Sequence, residues 1–425
     1  MNKKILQPAA EVSGTITLPG SKSITNRILL MAALSSGQTT INSPLKSDDT
    51  NHMLAALKLL GVNYKDKGND IVMDGVNQRF PSLQAKLFLG NAGTAFRPLT
   101  AVLSMLNGTY EISGITRMHE RPIKDLVDAL RQIGATINYE GTPGFPPIKI
   151  LPSNILYKSP IRIKGDVSSQ FLTALLMACP LMDQDIVIEV DGDLISRPYI
   201  DITLKLLEKF GIHYENLNWQ SFELNQNSKY KSPVEILVEG DASSASYFFA
   251  AAAIAGTIEV FGINAASIQG DLKFLNVIER MGASIEYRSH SIKVAREKKL
   301  TGLKIDCKEI PDAAMTLAIM ALFAEGETVL NNIGSWRVKE TDRIYAMETE
   351  LKKLGAYVTS TADSISIKPP RIINDNIVID TYDDHRMAMC FSLISLAKKT
   401  VTINDPGCVN KTYPEFFNDF EMVSS

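Results

Sequence analysis

The strongest constraint in this sequence is that it repeats itself. A helix-like run ends in glycine and passes into an alternating strand five times: ALKLLGVNY around Gly61, ALRQIGATINY around Gly134, LLEKFGIHYE around Gly211, VIERMGASIEY around Gly282 and ELKKLGAYV around Gly355. Glycine fits the position just past a helix, where the chain turns left-handed without a steric penalty. A second pattern, an apolar helix followed by a tight turn and a β-branched strand, occurs six times. Its copies are NRILLMAALSSGQTTI, TAFRPLTAVLSMLNGTYEI, SQFLTALLMACPLMDQDIVI, SASYFFAAAAIAGTIEV, AAMTLAIMALFAEGETVL and HRMAMCFSLISLAKKTVTI. These helices are apolar nearly all round, as expected of helices buried inside a domain. The chain therefore reads as about six α/β units of roughly 70 residues, each with two helices and several strands, grouped three and three. The boundary falls near Val238 to Ser244. Residues 20–240 are expected to form one domain and residues 1–19 plus 241–425 the other, with the N-terminal strand before Pro19 crossing into the second half. An extended solenoid is the competing arrangement, but buried helices favour globular packing.

With 425 residues, 45% hydrophobic and 21% charged, the chain has apolar content for more than one core. A net charge of −3 excludes a generally basic nucleic-acid binder, and two tryptophans with scattered aromatics make no platform for single strands. Cys179, Cys307, Cys390 and Cys408 form no CxxC and read as buried, reduced thiols. No signal peptide follows the first lysines, and the longest apolar run falls short of the roughly 20 residues of a membrane span. A cytoplasmic protein with no membrane partner is expected.

The charged residues collect at helix starts. The six apolar helices are entered through GSKSITNR (Gly20 to Arg27), GNAGT (Gly90 to Thr94), GDVSSQ (Gly165 to Gln170), GDASS (Gly240 to Ser244), PDAA (Pro311 to Ala314) and DDHR (Asp383 to Arg386). The second helices are entered through SDDT, RPIKD, SRPYID, QGD and RVKETDR. Any one of these is an ordinary cap. The recurrence is not: Lys22, Arg27, Arg97, Arg121, Arg197, Lys339, Arg343 and Arg386 all lie within a turn or two of a helix start, the end where the macrodipole disfavours cations. A multiply charged anion is the simplest compensation, because helix starts also offer free N–H groups. Helices of one repeat architecture start on the same side, so these termini are expected to face a cleft between the two halves.

Other motifs fail on spacing. GSKS lacks the glycine spacing of a phosphate-binding P-loop, and no GxGxxG follows a strand. Asp383, Asp384 and His385 have no partner at metal-ligand spacing, so no metal and no cofactor are expected.

Read in order, LPGSKSITNR, LFLGNAGTAFRPLT, RPIKDL, GDVSSQFLTALLM, RPYIDIT, EGDASSASYF, IPDAAMT, WRVKETDR and YDDHRMAM resemble the 5-enolpyruvylshikimate-3-phosphate synthases, of the bacterial class that glyphosate inhibits. The resemblance runs end to end. It implies a two-domain inside-out α/β barrel of six βαβαββ units. It also implies transfer of the enolpyruvyl group of phosphoenolpyruvate to the 5-hydroxyl of shikimate 3-phosphate, with release of phosphate. By resemblance, Ser168, Ser169, Ser196 and Lys339 hold the 3-phosphate; Ser23 and Arg27 take the carboxylate of that substrate, and Gln170 and Tyr199 line its ring. Lys22, Gly93, Arg121 and Lys411 surround the phosphate of phosphoenolpyruvate, with Gln170 alongside, and Arg343 and Arg386 bind its carboxylate. Asp312 and Glu340 are the acid–base carboxylates, with Lys22 and His385 close by; Asp312 also contacts the reacting hydroxyl. A monomer with small-molecule substrates and glyphosate as inhibitor follows by the same route. Two positions depart from the family: Ser335 stands where Asn is common, with loss of a phosphate contact in view, and Phe96 replaces Met, a change expected only to repack the core. Two rivals stay open. The sister transferase acting on UDP-N-acetylglucosamine usually carries a reactive Cys before the Arg-Pro pair, where this chain reads GITRMHERP. A non-catalytic anion-binding repeat would gain nothing from Asp312 and Glu340 beside arginines.

Overall fold

In five of the six repeats, four strands form a sheet with the same order of pairings. Gln84–Phe88 runs parallel to Thr109–Ser113, which pairs antiparallel with Ile148–Leu151, which pairs antiparallel with Thr136–Tyr139. Parallel neighbours need a crossover connection, and the apolar helix Gly93–Ser104 supplies it here. The structure is a computed structural model and describes residues 2–425. It divides into two compact units, Gly20–Val238 and a second made of the residues up to Pro19 with Glu239–Ser425.

Sequence neighbours do not supply every strand. Glu235–Leu237, at the end of its unit, pairs parallel with Gln38–Asn42 at the beginning. Val12–Thr17 pairs parallel with Gly256–Phe261, and Lys3–Leu6 pairs antiparallel with Val401–Asn404. The sixth repeat is abbreviated: Ile377–Ile379 and Val401–Asn404 form its parallel pair, and Lys3–Leu6 replaces a strand of the missing hairpin. The 3-10 turn Pro406–Lys411 and the short helix Phe416–Val423 follow its last strand, in the order in which Gly334–Val338 and Arg343–Lys353 follow Thr328–Asn331.

The two helix classes occupy different places. Every residue of the Ala242–Ala255 helix is buried, and its alanines let neighbours approach closely. The Lys124–Gln132 helix buries only Leu126, Val127, Ala129 and Leu130, on one face. The apolar helices thus lie inside their unit. Sheets and amphipathic helices lie outside, their strands alternating buried and less buried residues, as in Ile148–Leu151. The five glycines after the second helices all have positive φ, from 80° at Gly211 to 121° at Gly282, as their position requires. Phe96 is fully buried. No described helix is long and apolar enough to cross a membrane, and all four cysteines are buried and free.

Close backbone approach shapes the ends of the parallel strands. A methyl group on Gly20 would lie 2.4 Å from the Ser43 carbonyl oxygen, and one on Gly240 would lie 2.9 Å from that of Gly262. These glycines open the GSKS and GDASS entries. Their first role is to let two strand ends touch, which the sequence reading, centred on capping and anions, did not separate out. The first turns of the buried helices then meet. Asn26 Nδ2 donates to Thr94 Oγ1 at 2.7 Å in one unit, and the Ser246 and Thr316 hydroxyls are 2.8 Å apart in the other.

Candidate active site

In the Gly20–Val238 unit the predicted residues fall into neighbouring groups on helix starts. Arg27, 4% exposed, donates from Nε to Thr203 Oγ1 (2.8 Å), from Nη1 to the Ser23 carbonyl (2.8 Å), and from Nη2 to the Tyr199 carbonyl (3.2 Å) and Thr173 Oγ1 (3.4 Å). All four partners are neutral oxygens. Burial pulls its guanidinium down to about 10, and Tyr199 opposes this only weakly. A buried cation among neutral dipoles keeps its full attraction for an anion.

The second group surrounds Gly93, the first residue of its helix. A methyl there would lie 2.9 Å from each of Arg121 Nη2, Arg97 Nη1 and Gln170 Oε1. Arg121 is buried; its Nη1 donates to the backbone oxygen (3.0 Å) and Oδ1 (2.8 Å) of Asn91, while its Nε has no hydrogen-bond partner. Leaving a buried donor unmatched costs about 1–3 kcal/mol, which an anion would recover. Gln170 shares its helix start with Ser168, whose Oγ accepts the Gln170 N–H at 3.3 Å, and with buried Ser169. Lys22 opens the helix Lys22–Leu34, with Nζ 3.4 Å from Asp49 Oδ2. Ser196, with φ 54°, precedes the helix Arg197–Lys209.

The other unit holds a charge-balanced cluster. Arg343, 1% exposed, donates from Nε to Asp384 Oδ2 (2.7 Å), from Nη2 to Glu340 Oε2 (2.8 Å) and from Nη1 to Asp312 Oδ1 (3.0 Å). Arg386 Nη2 donates to the other Asp312 oxygen at 3.1 Å, and Nη1 donates to the Tyr247 hydroxyl at 3.2 Å. Asp312 therefore bridges the two arginines with one oxygen each. Lys339 Nζ is 3.5 Å from Asp312 Oδ1. Burial pushes the Asp312 carboxyl up, but Arg386, Lys339 and Arg343 outweigh it and hold the group well below the usual carboxylate range. Asp312 is thus ionised at neutral pH and can accept a proton. Asp384 Oδ1 caps the helix His385–Ser392 through the Arg386 N–H at 2.9 Å and lies 3.5 Å from His385 Nδ1. Trp336, fully buried, donates its indole N–H to the Pro311 carbonyl at 2.6 Å and fixes the peptide that carries Asp312. Lys411 lies buried at the end of its 3-10 turn, and Ser335 is half-buried in the turn Gly334–Val338.

A family model described as EPSP synthase (3-phosphoshikimate 1-carboxyvinyltransferase) matches residues 6–420. The chain belongs to the EPSP synthase family. It is 54% identical to a 3-phosphoshikimate 1-carboxyvinyltransferase of Cupriavidus necator, over 100% of both chains. It is 55% identical to one of Burkholderia ambifaria, over 99% of this chain and 98% of that one. The solved EPSP synthase of Acinetobacter baumannii superposes with a TM-score of 0.83 at 25% identity, covering 100% of this chain and 98% of the other. The enolpyruvyl transferase NikO of Streptomyces tendae, at 15% identity and a TM-score of 0.76 over 99% of this chain and 97% of its own, shares the fold. The chain is a transferase that moves the enolpyruvyl group of phosphoenolpyruvate to shikimate 3-phosphate in the shikimate pathway. This removes the UDP-N-acetylglucosamine and non-catalytic readings.

Several residues that hold these groups escaped the sequence reading. Asn91 lies inside the GNAGT entry and Asp384 inside DDHR, where it was weighed only as a metal ligand. Thr173 lies about one turn and Thr203 nearly two turns into their helices, where nothing in a single sequence separates them from core threonines.

Proposed function

We propose that the two sets of residues act on one pair of substrates. Ser168, Ser169, Ser196 and Lys339 hold the 3-phosphate of shikimate 3-phosphate. Ser23 and Arg27 take its carboxylate, and Gln170 and Tyr199 line the ring. Lys22, Gly93, Arg121 and Lys411 take the phosphate of phosphoenolpyruvate, and Arg343 and Arg386 take its carboxylate. The reading is supported most by Asp312, an ionised carboxylate placed on both of those arginines. A substrate carboxylate that takes the same two forks replaces Asp312, and a freed Asp312 can accept the proton of the attacking hydroxyl.

The hydroxyl oxygen bonds to C2 of phosphoenolpyruvate as its proton passes to Asp312, and Glu340, once protonated and released from Arg343, delivers its proton to C3, giving a tetrahedral adduct. The C2–O bond to phosphate then breaks, C3 returns a proton to Glu340, and phosphate leaves with the proton that Asp312 had taken up. Lys22 and His385 serve these proton transfers nearby. The cations offset substrate repulsion of about 4 kcal/mol per charge pair at 4 Å in a medium of intermediate dielectric.

Glyphosate competes at the Gly93 and Arg121 group, and the enzyme works as a cytoplasmic monomer; the four free buried thiols fit a reducing compartment. The decisive assay measures phosphate release from phosphoenolpyruvate with shikimate 3-phosphate and with UDP-N-acetylglucosamine. Release is expected with the first alone. Release unaffected by Asp312→Asn would overturn the residue roles while leaving the activity intact.

A further inference from the structure

We propose that Glu350, which no step of the chemistry touches, is a positioning residue that fixes Arg386 relative to Arg343 by gripping the turn between Asp380 and Asp384. The inference rests on the reading that these two arginines share the carboxylate of phosphoenolpyruvate.

Glu350 lies seven residues after Arg343 on the helix Arg343–Lys353, about two turns along the same face. It is 0% exposed. A buried carboxylate is retained only where its partners compensate for lost water, and every partner here reaches toward one turn. Oε1 accepts the Tyr382 hydroxyl at 2.7 Å. Oε2 accepts the Asp380 backbone N–H at 3.2 Å and lies 2.7 Å from Lys353 Nζ. Lys353 in turn reaches Asp380 Oδ2 at 2.9 Å, and Asp380 Oδ1 accepts Asn404 Nδ2 at 2.7 Å.

The gripped turn is strained. Tyr382 and Asp383 have φ of 54° and 55°, consecutive left-handed residues of which neither is glycine. An aromatic residue stays in that region only when its surroundings over-determine it. Immediately beyond comes Asp384, which accepts the Arg386 N–H and takes Arg343 Nε and Nη2 at 2.7 and 3.3 Å. The helix that carries Arg343 is therefore tied to the entry of the Arg386 helix at two levels, by Asp384 at its first turn and, two turns further along, by Glu350 through Asp380 and Tyr382. Loosening the deeper tie lets the turn relax, and the error appears at the Arg386 fork. Two guanidiniums that must meet one carboxylate tolerate little such error.

The test compares full-length Tyr382→Phe, Glu350→Gln and Arg386→Lys with the unchanged enzyme, varying each substrate in turn and recording melting temperatures. Tyr382→Phe removes only the hydroxyl. Glu350→Gln turns one acceptor into a donor facing the Asp380 N–H. Each is expected to raise KM for phosphoenolpyruvate about 5–10-fold, the scale of one ordinary intramolecular hydrogen bond, since the effect reaches the substrate only through Arg386. KM for shikimate 3-phosphate stays within about twofold, since Glu350 touches none of the residues assigned to it. A lowered melting temperature with phosphoenolpyruvate KM unchanged, or equal rises in both KM values, overturns the inference and leaves Glu350 a structural residue. If Arg386→Lys also leaves phosphoenolpyruvate KM unchanged, the assignment of Arg386 itself fails, and this inference with it.

Discussion

Arg27 and Arg343 are both buried arginines at helix starts, yet their surroundings are opposite. Arg27 meets only neutral oxygens, whereas Arg343 meets three carboxylates. Arg27 and Arg121 can take an anion without giving up an ionic partner, while Arg343 and Arg386 must exchange one. Asp312→Asn should therefore separate chemistry from binding. Turnover is expected to fall about 10²–10⁴-fold, as for loss of a general base. The affinity for phosphoenolpyruvate, measured by calorimetry with shikimate 3-phosphate present, is expected to hold or tighten, because the amide competes less well for the two guanidiniums. At Gly93, the three polar atoms 2.9 Å from an added methyl are a reason to expect Gly93→Ala to weaken both phosphoenolpyruvate and glyphosate in inhibition assays. Asp271 provides a pH test. It is buried, accepts the Ser243 hydroxyl at 2.8 Å, and is pushed up to about 6, first by burial and then by Asp312, against Arg386. Unfolded, the carboxyl titrates at 3.8, so between these values the native state holds the extra proton. Stability from this group is thus lost as pH rises through that window. Asp271→Asn should be more stable than the unchanged protein at about pH 7.5, by at most on the order of 2–3 kcal/mol, with the gap closing near pH 4 in urea titrations.

At the scale of elements, the local patterns were legible and the distant pairings were not. The glycines after the second helices could be read because a left-handed residue there leaves few alternatives, and the buried helices because they lack a polar face. The abbreviated sixth repeat could not be read, since periodicity reports a strand's character but not its partner: Lys3–Leu6 looks like any short edge segment until it meets Val401–Asn404. Likewise, the cations of the site were visible as exceptions to the helix dipole, whereas of the carboxylates that bind them Asp312 and Glu340 came only with the family resemblance and Asp384 not at all. Asp384 and Glu350 reach Arg343 and Tyr382 only through tertiary geometry. The glycines at the strand ends carry the element-level prediction. Gly20→Ala would press its methyl against the Ser43 oxygen at 2.4 Å and the Leu45 nitrogen at 2.9 Å, both backbone atoms that cannot rotate away. A loss of about 1–3 kcal/mol is expected in denaturant unfolding. Gly68→Ala, which meets nothing within 4 Å, should cost less, although its φ of 79° still carries a backbone penalty.

For the whole molecule, the origin of the strands matters more than their number. Every strand of the Gly20–Val238 unit comes from within it, including Glu235–Leu237, which completes the first sheet. Expressed alone, residues 20–238 are expected to give cooperative thermal unfolding and dispersed amide NMR signals. Residues 239–425 alone leave Gly256–Phe261 and Val401–Asn404 each short of one of their two neighbours and are expected to aggregate, as unpaired edges do, until a peptide of residues 1–19 is added. In the cell this arrangement imposes an order of assembly. Residues 3–17 leave the ribosome well before their partners at 256–261 and 401–404, and at about 5–20 residues per second the delay to the last is on the order of tens of seconds. During that interval the leading segment must stay soluble and unpaired beside a nascent domain that is already folding. Two adjacent lysines, Lys3 and Lys4, followed by only Ile5 and Leu6, make a strand too short to pair stably with itself, which suits a segment that has to wait.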